Sequence, residues 1–316
     1  MSMRALLAYL LTLVFSINAV AQTKKTIAIT IDDIPIMSKT PISMEDAASV
    51  NAKLLHVLKM HGVTAVGFVN EDGLLVRGKI DAGVDILDQW LAAGMELGNH
   101  NFGHVGLWRS TLSANQDAVV KGEVFTRWLT SSRNKPLRYY RHPFTQTGRN
   151  EVEKQAFEDF LTSRGYTVAP FTIDHDDYIY SCVYDKLVQS LDAAKQELVK
   201  TEYLAHLENA VKVYESMSQQ LFDRQIPQIL LIHANRLNAE ALDAMLSKLR
   251  GMGYTFVSLD TALEDEAYRS KTNASKQFGP SWLARWARAL PKKLTVYGPP
   301  DPAGRVAELA TKLCAK

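Results

Sequence analysis

Several short segments of this chain are apolar at consecutive positions rather than at alternate ones, as in Ile229-Leu230-Leu231-Ile232. Such runs are typical of strands that are covered on both faces, as in a parallel sheet wrapped by helices. Apolar, β-rich runs predict strands at 26–31, 65–69, 96–98, 137–141, 167–173, 228–233 and 256–259. Helical segments alternate with them at 46–61, 81–93, 113–131, 149–164, 183–221 and 238–250. This alternation predicts an α/β fold, either a barrel or a doubly wound sheet.

The first 21 residues have the pattern of an export signal. Arg4 gives a positive start, residues 6–17 form an apolar run, and Ala19-Val20-Ala21 is a small-x-small cleavage site. The apolar run is short for a bilayer span, and no later segment is long and apolar enough for one. We therefore expect an exported protein, periplasmic or secreted, with no stable membrane span after cleavage near Gln22. The alternative is an uncleaved membrane anchor.

Composition narrows the possible partners and compartments. The 316 residues carry a formal charge of +2, mixed along the chain without a long basic run, so nucleic-acid binding is not indicated. Cys182 and Cys314 are the cysteines of the chain. An oxidising compartment permits a disulfide between them, and two free thiols fit the sequence equally well.

Polar residues follow or end the predicted strands. In a parallel α/β fold the carboxyl ends of the strands form the rim on which active sites are built. Five strands place polar side chains there, and chance is a poor explanation for so many. The residues are Asp32, Asp33, His100, Arg141, Asp174 and His233.

His100 and His104 lie four residues apart, downstream of the Asp32-Asp33 pair. Two imidazoles and one carboxylate suit a divalent ion such as zinc and leave a coordination position for water. The second carboxylate can then accept the proton of that water. Taken singly each motif is weak, since one aspartate can cap a turn and this histidine spacing often arises by chance. Their combination predicts a metal-assisted hydrolase.

Three further segments fit such a site. Arg141 could pair with Asp32 and hold it ionised, although a surface arginine is the simpler alternative. The acidic segment 174–178 could orient a histidine or line a groove, or could be a solvated loop. His233 follows a buried strand, where it could be a core histidine or a general acid at the rim.

In this order, the segments resemble the motifs of the NodB-homology polysaccharide deacetylases, also called carbohydrate esterase family four. The resemblance spans roughly residues 25–265. Two positions depart from the family pattern, because Ile31 replaces an aromatic residue and Tyr178 replaces a tryptophan. The matching segments are Thr30-Ile31-Asp32-Asp33, the His100 to His104 motif, Arg141-His142-Pro143-Phe144, Asp174 to Tyr178, and Ile229 to His233.

The resemblance implies a distorted (β/α) barrel, here of about seven parallel strands, and the sequence beyond it predicts a C-terminal helical extension. We expect a signal peptide at 1–21 and a catalytic domain at 22–265, with a helical insertion at about 183–221. The extension, 266–316, is expected to pack on the barrel. Trp282, Leu283 and Trp286 give it an apolar face at helical spacing.

The resemblance also assigns roles to individual residues. Asp33, His100 and His104 would hold a divalent metal, with zinc (Zn²⁺) the expected ion. The catalytic set would be Asp32 as general base beside Arg141, and His233 as general acid oriented by Asp177. The residues expected at the substrate are Phe144, whose backbone N–H would help to stabilise the oxyanion, Leu231 at the acetyl methyl group, and Asp174 and Tyr178 along the groove.

The expected function is metal-dependent N-deacetylation of an envelope or extracellular polysaccharide, such as chitin-like oligomers or peptidoglycan. The partner would be an acetylated glycan, and the oligomeric state is left open. Two alternatives keep the chemistry, namely an O-acetyl xylan esterase and an amidase for a non-sugar C–N bond. A third alternative is a non-catalytic glycan-binding protein.

Overall fold

The computed structural model describes residues 25–275 and 277–314, and the export signal expected at 1–21 lies outside them. The described residues contain seven strands that pair in parallel. The sheet order is β5-β4-β3-β2-β1-β6, with β7 paired to the start of β1. The strands are β1 (Thr26–Ile34), β2 (Val66–Val69), β3 (Glu96–Asn99), β4 (Tyr139–Tyr140), β5 (Thr167–Val168), β6 (Gln228–His233) and β7 (Thr255–Phe256).

The sheet curls until its two ends are joined by one segment. Val168 of β5 pairs with Tyr140 of β4, and five residues later Ile173 bridges Leu230 of β6. The single strand predicted over 167–173 is therefore wrong in detail, because Pro170 lies between the two contacts and has no N–H for a ladder. The predicted distorted barrel of parallel strands is confirmed.

Helices surround this barrel. They are α1 (Met44–Met60), α2 (Ile80–Ala92), α3 (Leu112–Lys121), α4 (Val124–Ser132), α5 (Glu151–Ser163), α6 (Asp177–Gln189), α7 (Ala193–Phe222), α8 (Arg236–Gly251), α9 (Leu259–Leu263), α10 (Trp282–Ala289) and α11 (Gly304–Leu313).

Two predicted helices are each divided in the structure. The helix expected at 113–131 becomes α3 and α4, because Gly122 ends α3. A Cβ at Gly122 would lie 2.6 Å from the backbone of Asn101, so a glycine allows the helix end to approach the segment that carries the two histidines. The insertion expected at 183–221 becomes α6 and α7. Leu191 takes a left-handed conformation between them, and Asp192 caps α7.

The strand predicted at 256–259 is also shorter than expected. β7 ends at Phe256, and the side chain of Ser258 accepts a hydrogen bond from Thr261 N as the N-cap of α9. A serine at this position starts a helix because its oxygen satisfies a free backbone N–H. Leu259 therefore begins α9 rather than ending a strand.

The core centres on β1 and β6, which lie side by side. Ile229, Leu230, Leu231 and Ile232 are all buried, as expected for a strand covered on both faces. The two strands pair in register, with Thr30 opposite Leu231 and Asp32 opposite His233. The barrel thereby brings residues that are about 200 positions apart in sequence to one rim.

The C-terminal segment returns to the barrel. α10 packs on α7, and α11 packs on α6 and α7. Trp286 is fully buried within the core. A disulfide joins Cys182 of α6 to Cys314 after α11, with a Cα–Cα distance of 6.2 Å, which resolves the question left open by the sequence. None of the helices within 25–275 and 277–314 is long and apolar enough to cross a membrane.

Candidate metal and active site

Asp32 and Asp33 lie near the end of β1, which continues to Ile34 rather than ending before them as the sequence suggests. Neighbouring side chains of a regular strand point to opposite faces. Asp33 breaks this alternation with a φ of 62°, and the register with β2 shifts between Ile31 and Ile34. Both carboxylates can thus serve one site. Asn70 fixes one of them by donating from Nδ2 to Asp33 Oδ1 at 2.7 Å.

His100 and His104 converge on the Asp33 carboxylate. The Nε2 atoms of the two rings lie 3.5 and 3.6 Å from Asp33 Oδ1. The connecting segment is a turn, because Asn101, Gly103 and His104 all have positive φ. His100 Nδ1 hydrogen-bonds the carbonyl oxygen of Arg141 at 2.8 Å, which requires the N–H there and leaves Nε2 as the free lone pair.

These three side chains fit a divalent metal ion. One ligand atom from each lies within 4.8 Å of the others. Burial lowers the pKa of His104 to about 4, although the Asp33 carboxylate opposes the shift, so the ring is neutral at neutral pH. Burial raises the pKa of Asp33, but His104 and His100 outweigh it and the net pKa lies below the ordinary value. Two neutral imidazoles and one carboxylate are a donor set that suits zinc.

Asp32 lies beside the three ligands, with its Oδ2 4.0 Å from His100 Nε2. Its Oδ2 lies 3.5 Å from Arg141 Nη1, and its buried Oδ1 has no hydrogen-bond partner in the described part of the chain. Arg141 is itself fully buried, with its guanidinium 4.6 Å from the ring centroid of Phe68. Its Nη2 donates to Thr30 Oγ1 at 3.1 Å and to Pro170 O at 3.3 Å. The arrangement orients Asp32 and leaves one oxygen free to accept a proton.

His233 faces this site from β6, and Asp177 at the start of α6 holds it. The ring Nδ1–H donates to Asp177 Oδ1 at 2.7 Å, and the backbone N–H donates to Oδ2 at 2.8 Å. Asn235 Nδ2 and Asn238 Nδ2 also donate to Oδ2, at 3.1 and 2.7 Å. A fully buried carboxylate with four donors is fixed in position, and it fixes the imidazole in turn.

The pair holds the proton on the histidine. Burial alone would lower the pKa of His233, but the Asp177 carboxylate outweighs burial and raises this pKa to about 10. Burial would raise the pKa of Asp177, but His233 outweighs it and lowers that pKa to about 2. At neutral pH the ring is therefore an imidazolium whose Nε2–H can be donated.

A family described as polysaccharide deacetylase matches residues 19–157. The resemblance expected from the motifs is thereby confirmed over residues 19–157, which make up less than half of the chain.

A curated relative is also named a deacetylase. The peptidoglycan-N-acetylglucosamine deacetylase PgdA of Listeria monocytogenes is 24% identical over 262 residues, which cover 82% of this chain. The match covers 42% of PgdA, so the chain spans less than half the length of that curated relative.

Solved structures share the deacetylase fold. A mutant of BA3943, titled a CE4 family pseudoenzyme with restored enzymatic activity, is 20% identical with a TM-score of 0.51, covering 77% of this chain and 69% of that one. Wild-type BA3943 from Bacillus anthracis, titled a CE4 family pseudoenzyme, is 19% identical with a TM-score of 0.50, covering 77% and 66%. At these identities the likeness shows the fold alone.

The remaining residues that the family resemblance assigns to substrate lie around the site. Phe144 is half exposed, with its ring 4.3 Å from that of His104. Tyr178, next to Asp177, is also half exposed, and Leu231 is buried opposite Thr30. Burial, with the Asp176 and Asp177 charges, raises the pKa of Asp174 to about 7. Within the described chain, no side-chain hydrogen bond or ion pair joins Asp174, Tyr178 or Leu231 to the metal ligands.

Three residues that orient side chains of the site were not predicted from the sequence. Asn70 follows β2 directly, so the strand-end criterion would have found it had amides been included with charged residues. Asn235 is the N-cap of α8, a role that asparagine often takes, two positions after His233. Asn238 lies in the first turn of α8, and nothing in the sequence sets it apart.

Proposed function

We propose that this protein is a polysaccharide deacetylase, a metal-dependent hydrolase that removes N-acetyl groups from an exported or envelope polysaccharide. The observation that carries the proposal is the separation of roles around one rim. Asp33, His100 and His104 form a ligand cluster, Asp32 has a free oxygen, and His233 holds a donable proton.

The substrate proposal rests on the curated relative and on the sequence. PgdA is a deacetylase of peptidoglycan N-acetylglucosamine, and its match spans 82% of this chain. The first 21 residues have the pattern of an export signal. Polymers that contain N-acetylglucosamine, such as peptidoglycan and chitin-like oligomers, are therefore the first substrates to test. Acetyl esters of xylan and non-sugar amides share the same chemistry and form the comparison set.

A divalent ion held by Asp33, His100 and His104 would supply a Lewis acid that polarises the acetyl carbonyl and acidifies water. Residues of the chain supply the proton transfers and the hydrogen bond to the oxyanion. Asp32 Oδ1 accepts the proton of the attacking water as oxygen adds to the carbonyl carbon, while Arg141 holds the carboxylate in place. The backbone N–H of Phe144 donates to the oxyanion that develops on the carbonyl oxygen.

Collapse of the tetrahedral species breaks the C–N bond. The departing nitrogen takes the proton of His233 Nε2, and acetate and a free amine leave. Asp177 keeps His233 protonated and oriented until that step, because its carboxylate favours the imidazolium. Acid and base thus come from two groups whose surroundings give them different protonation states.

One protein of similar fold, BA3943, is titled a pseudoenzyme. A glycan-binding protein without activity is therefore the alternative to consider. In this chain the expected positions for metal, base and acid are all occupied by residues of the expected chemical type. The binding alternative therefore has no specific observation in its favour, and it becomes an outcome of the experiment below.

The test measures acetate release by the metal-stripped mature protein, with and without stoichiometric zinc. The substrates are N-acetylglucosamine oligomers, peptidoglycan and acetylated xylan. We expect zinc-dependent release from an N-acetylglucosamine polymer. In Asp32→Asn, turnover should fall at least ~100-fold while zinc stoichiometry stays unchanged, because general-base catalysis contributes about 10²- to 10⁴-fold.

Other results would redirect the assignment. Release from xylan alone would make the protein an esterase. No release from any glycan, with zinc bound, would contradict the proposal and favour a binding role or a different amide. Full turnover by Asp32→Asn would remove Asp32 as the base.

A further inference from the structure

The turn that carries Phe144 has an unfavourable backbone. Phe144 and Thr145 are consecutive non-glycine residues, and each has a φ of 53°, in the left-handed region. Such a conformation is unfavourable for a residue with a Cβ and persists only where its surroundings fix it. The contacts that fix this turn are therefore part of whatever the turn does.

Those contacts come from the C-terminal extension. We call residues 277–286 the C-terminal strap. Thr145 Oγ1 donates to Gly279 O at 2.7 Å, and Gln146 Nε2 donates to Gln277 O at 2.6 Å. Just before the strap, Ser275 exchanges two hydrogen bonds with Thr147, at 3.2 and 2.9 Å. The turn is thus tied to a segment more than 120 residues away in sequence.

Arg285 makes the central contact. Its side chain is 2% exposed, and Nη2 donates to the carbonyl oxygen of Thr145 at 2.7 Å. Nη1 reaches Thr147 Oγ1 at 3.3 Å, and Nε donates to Pro280 O at 2.8 Å. The guanidinium lies 3.9 Å from the ring centroid of Trp282. One side chain therefore binds the turn and the strap together.

This cation is buried without an ion pair in the described part of the chain. No carboxylate oxygen of the described residues lies within salt-bridge distance of Arg285. Removing a charge from water is costly when no partner charge forms an ion pair with it. Burial accordingly lowers the pKa of Arg285 to about 9. The guanidinium still keeps its charge at neutral pH, and its donors are used on the turn and on the strap.

The residues around Arg285 are tightly packed. A Cβ at Gly279 would lie 1.8 Å from Arg285 Nη2 and 2.2 Å from Thr145 O, so only glycine fits there. The strap is also anchored on the segment that closes the barrel. Trp282 N donates to Phe171 O at 3.0 Å, and Ser281 Oγ donates to Thr172 O at 2.6 Å. Arg285 and the strap therefore connect the turn to the barrel.

We propose that Arg285 is a positioning residue, which holds the Phe144–Thr145 turn so that the backbone N–H of Phe144 is preset toward the oxyanion of the reaction. The consequence for the rate rests on the proposed deacetylase function, whereas the holding of the turn does not. The hydrogen-bond partners of Arg285 are Pro280, Thr145 and Thr147, and none of them is a proposed metal ligand. Arg285 acts through the conformation of the turn.

The experiment compares Arg285→Ala with Arg288→Ala in the full mature protein loaded with zinc. Arg288 lies on the same helix and is exposed, and within the described chain it has no side-chain hydrogen bond or ion pair, so it controls for the loss of one charge. Arg285→Lys keeps the charge and part of the bonding. The first readout is amide hydrogen exchange of the peptide spanning residues 139–148. The second is kcat and KM for acetate release from an N-acetylglucosamine oligomer.

In Arg285→Ala we expect exchange in residues 144–147 to become at least ~10-fold faster, while β1 and β6 keep their protection. We expect kcat to fall about 10- to 100-fold, which is less than the ~10²- to 10³-fold loss typical of removing an oxyanion donor outright. KM should stay within about twofold. Arg285→Lys should recover part of kcat, and Arg288→Ala should match the wild type in both readouts.

Unchanged exchange in residues 144–147 would overturn the proposal, whatever the kinetics. Faster exchange with unchanged kcat would show that the turn is held but is not limiting, which also overturns the positioning role. A loss of protection throughout the protein would assign Arg285 to global stability instead. If the wild type deacetylated no glycan, local exchange as expected would uphold the holding of the turn while the proposed function failed.

Discussion

At the scale of single residues, charge pairing decides which group carries the proton that the proposed reaction needs. His233 is protonated at neutral pH because Asp177 outweighs the effect of burial. The alkaline decline of wild-type deacetylation should therefore come near pH 10, where His233 loses its proton. Below that pH the acid stays charged across the physiological range.

Replacing Asp177 with Asn should move this alkaline limb to lower pH. The amide keeps the shape but not the charge, so burial dominates and the pKa of His233 falls to or below its ordinary value near 6.5. The measurement is kcat against pH from 5 to 11. Asp243→Asn, which alters a surface carboxylate paired with His61, serves as the control. An alkaline limb that stayed near pH 10 in Asp177→Asn would refute the pairing argument.

The strand-end rule anticipated much of the candidate site, because a residue that follows a strand is placed by local structure. Asp32, Asp33, His100, Arg141 and His233 are gathered at one rim in this way, and their chemical roles stay predictions. Arg285 could not be found from sequence. It differs from Arg288 only in which side of α10 faces the barrel, and that depends on tertiary packing.

At the scale of elements, the insertion between β5 and β6 is more than a cover for the barrel. The sequence predicts one polar-rich helix at 183–221, whereas α6 begins six residues earlier and brings Asp177 to the rim. α7 then passes behind the site. Its Tyr203 donates to Asn238 Oδ1 at 2.5 Å, and Asn238 donates in turn to Asp177 Oδ2 at 2.7 Å. Amphipathic spacing predicts such a helix but not which of its residues reaches the site.

Tyr203→Phe tests this connection. The change removes the hydroxyl and leaves the Asn238 amide oxygen buried without its donor, so stability should fall by about 1–3 kcal/mol. A less firmly held Asp177 should lower kcat by about 3- to 10-fold with little change in KM. Urea unfolding and steady-state kinetics measure the two effects.

Tyr180→Phe is the matched control for Tyr203→Phe. Tyr180 is also buried and packs against the Tyr203 ring at 5.3 Å, but its hydroxyl forms no hydrogen bond within the described chain. We expect near-wild-type stability and kcat in this variant. Equal losses in both variants would mean that ring packing, rather than the hydroxyl, matters at this position.

At the scale of the whole molecule, two sets of contacts between distant segments complete the fold. Residues 168–173 join the two ends of the sheet, and the C-terminal segment then packs across α6 and α7. At the start of α11, the carboxylate of Glu202 accepts from the backbone N–H groups of Arg305 and Val306, at 3.3 and 2.9 Å. The alternation of apolar runs predicts the barrel because periodicity is local. The return of the tail depends on contacts that no local pattern encodes.

The disulfide should stabilise this closed arrangement. It joins residues 132 positions apart, and a cross-link over so long a loop restricts the unfolded chain, typically by about 2–5 kcal/mol. The double variant Cys182→Ser, Cys314→Ser should therefore unfold at lower urea concentration than the oxidised wild type. Adding a reductant should shift the wild-type transition toward that of the variant and leave the variant unchanged.

Because the site is built on the barrel rim, zinc binding and kcat at 25 °C should stay within about twofold in the variant. A midpoint that did not respond to reductant would show that the bond adds nothing to stability, whereas a large loss of kcat in the folded variant would show that the tail helps to shape the site through α6.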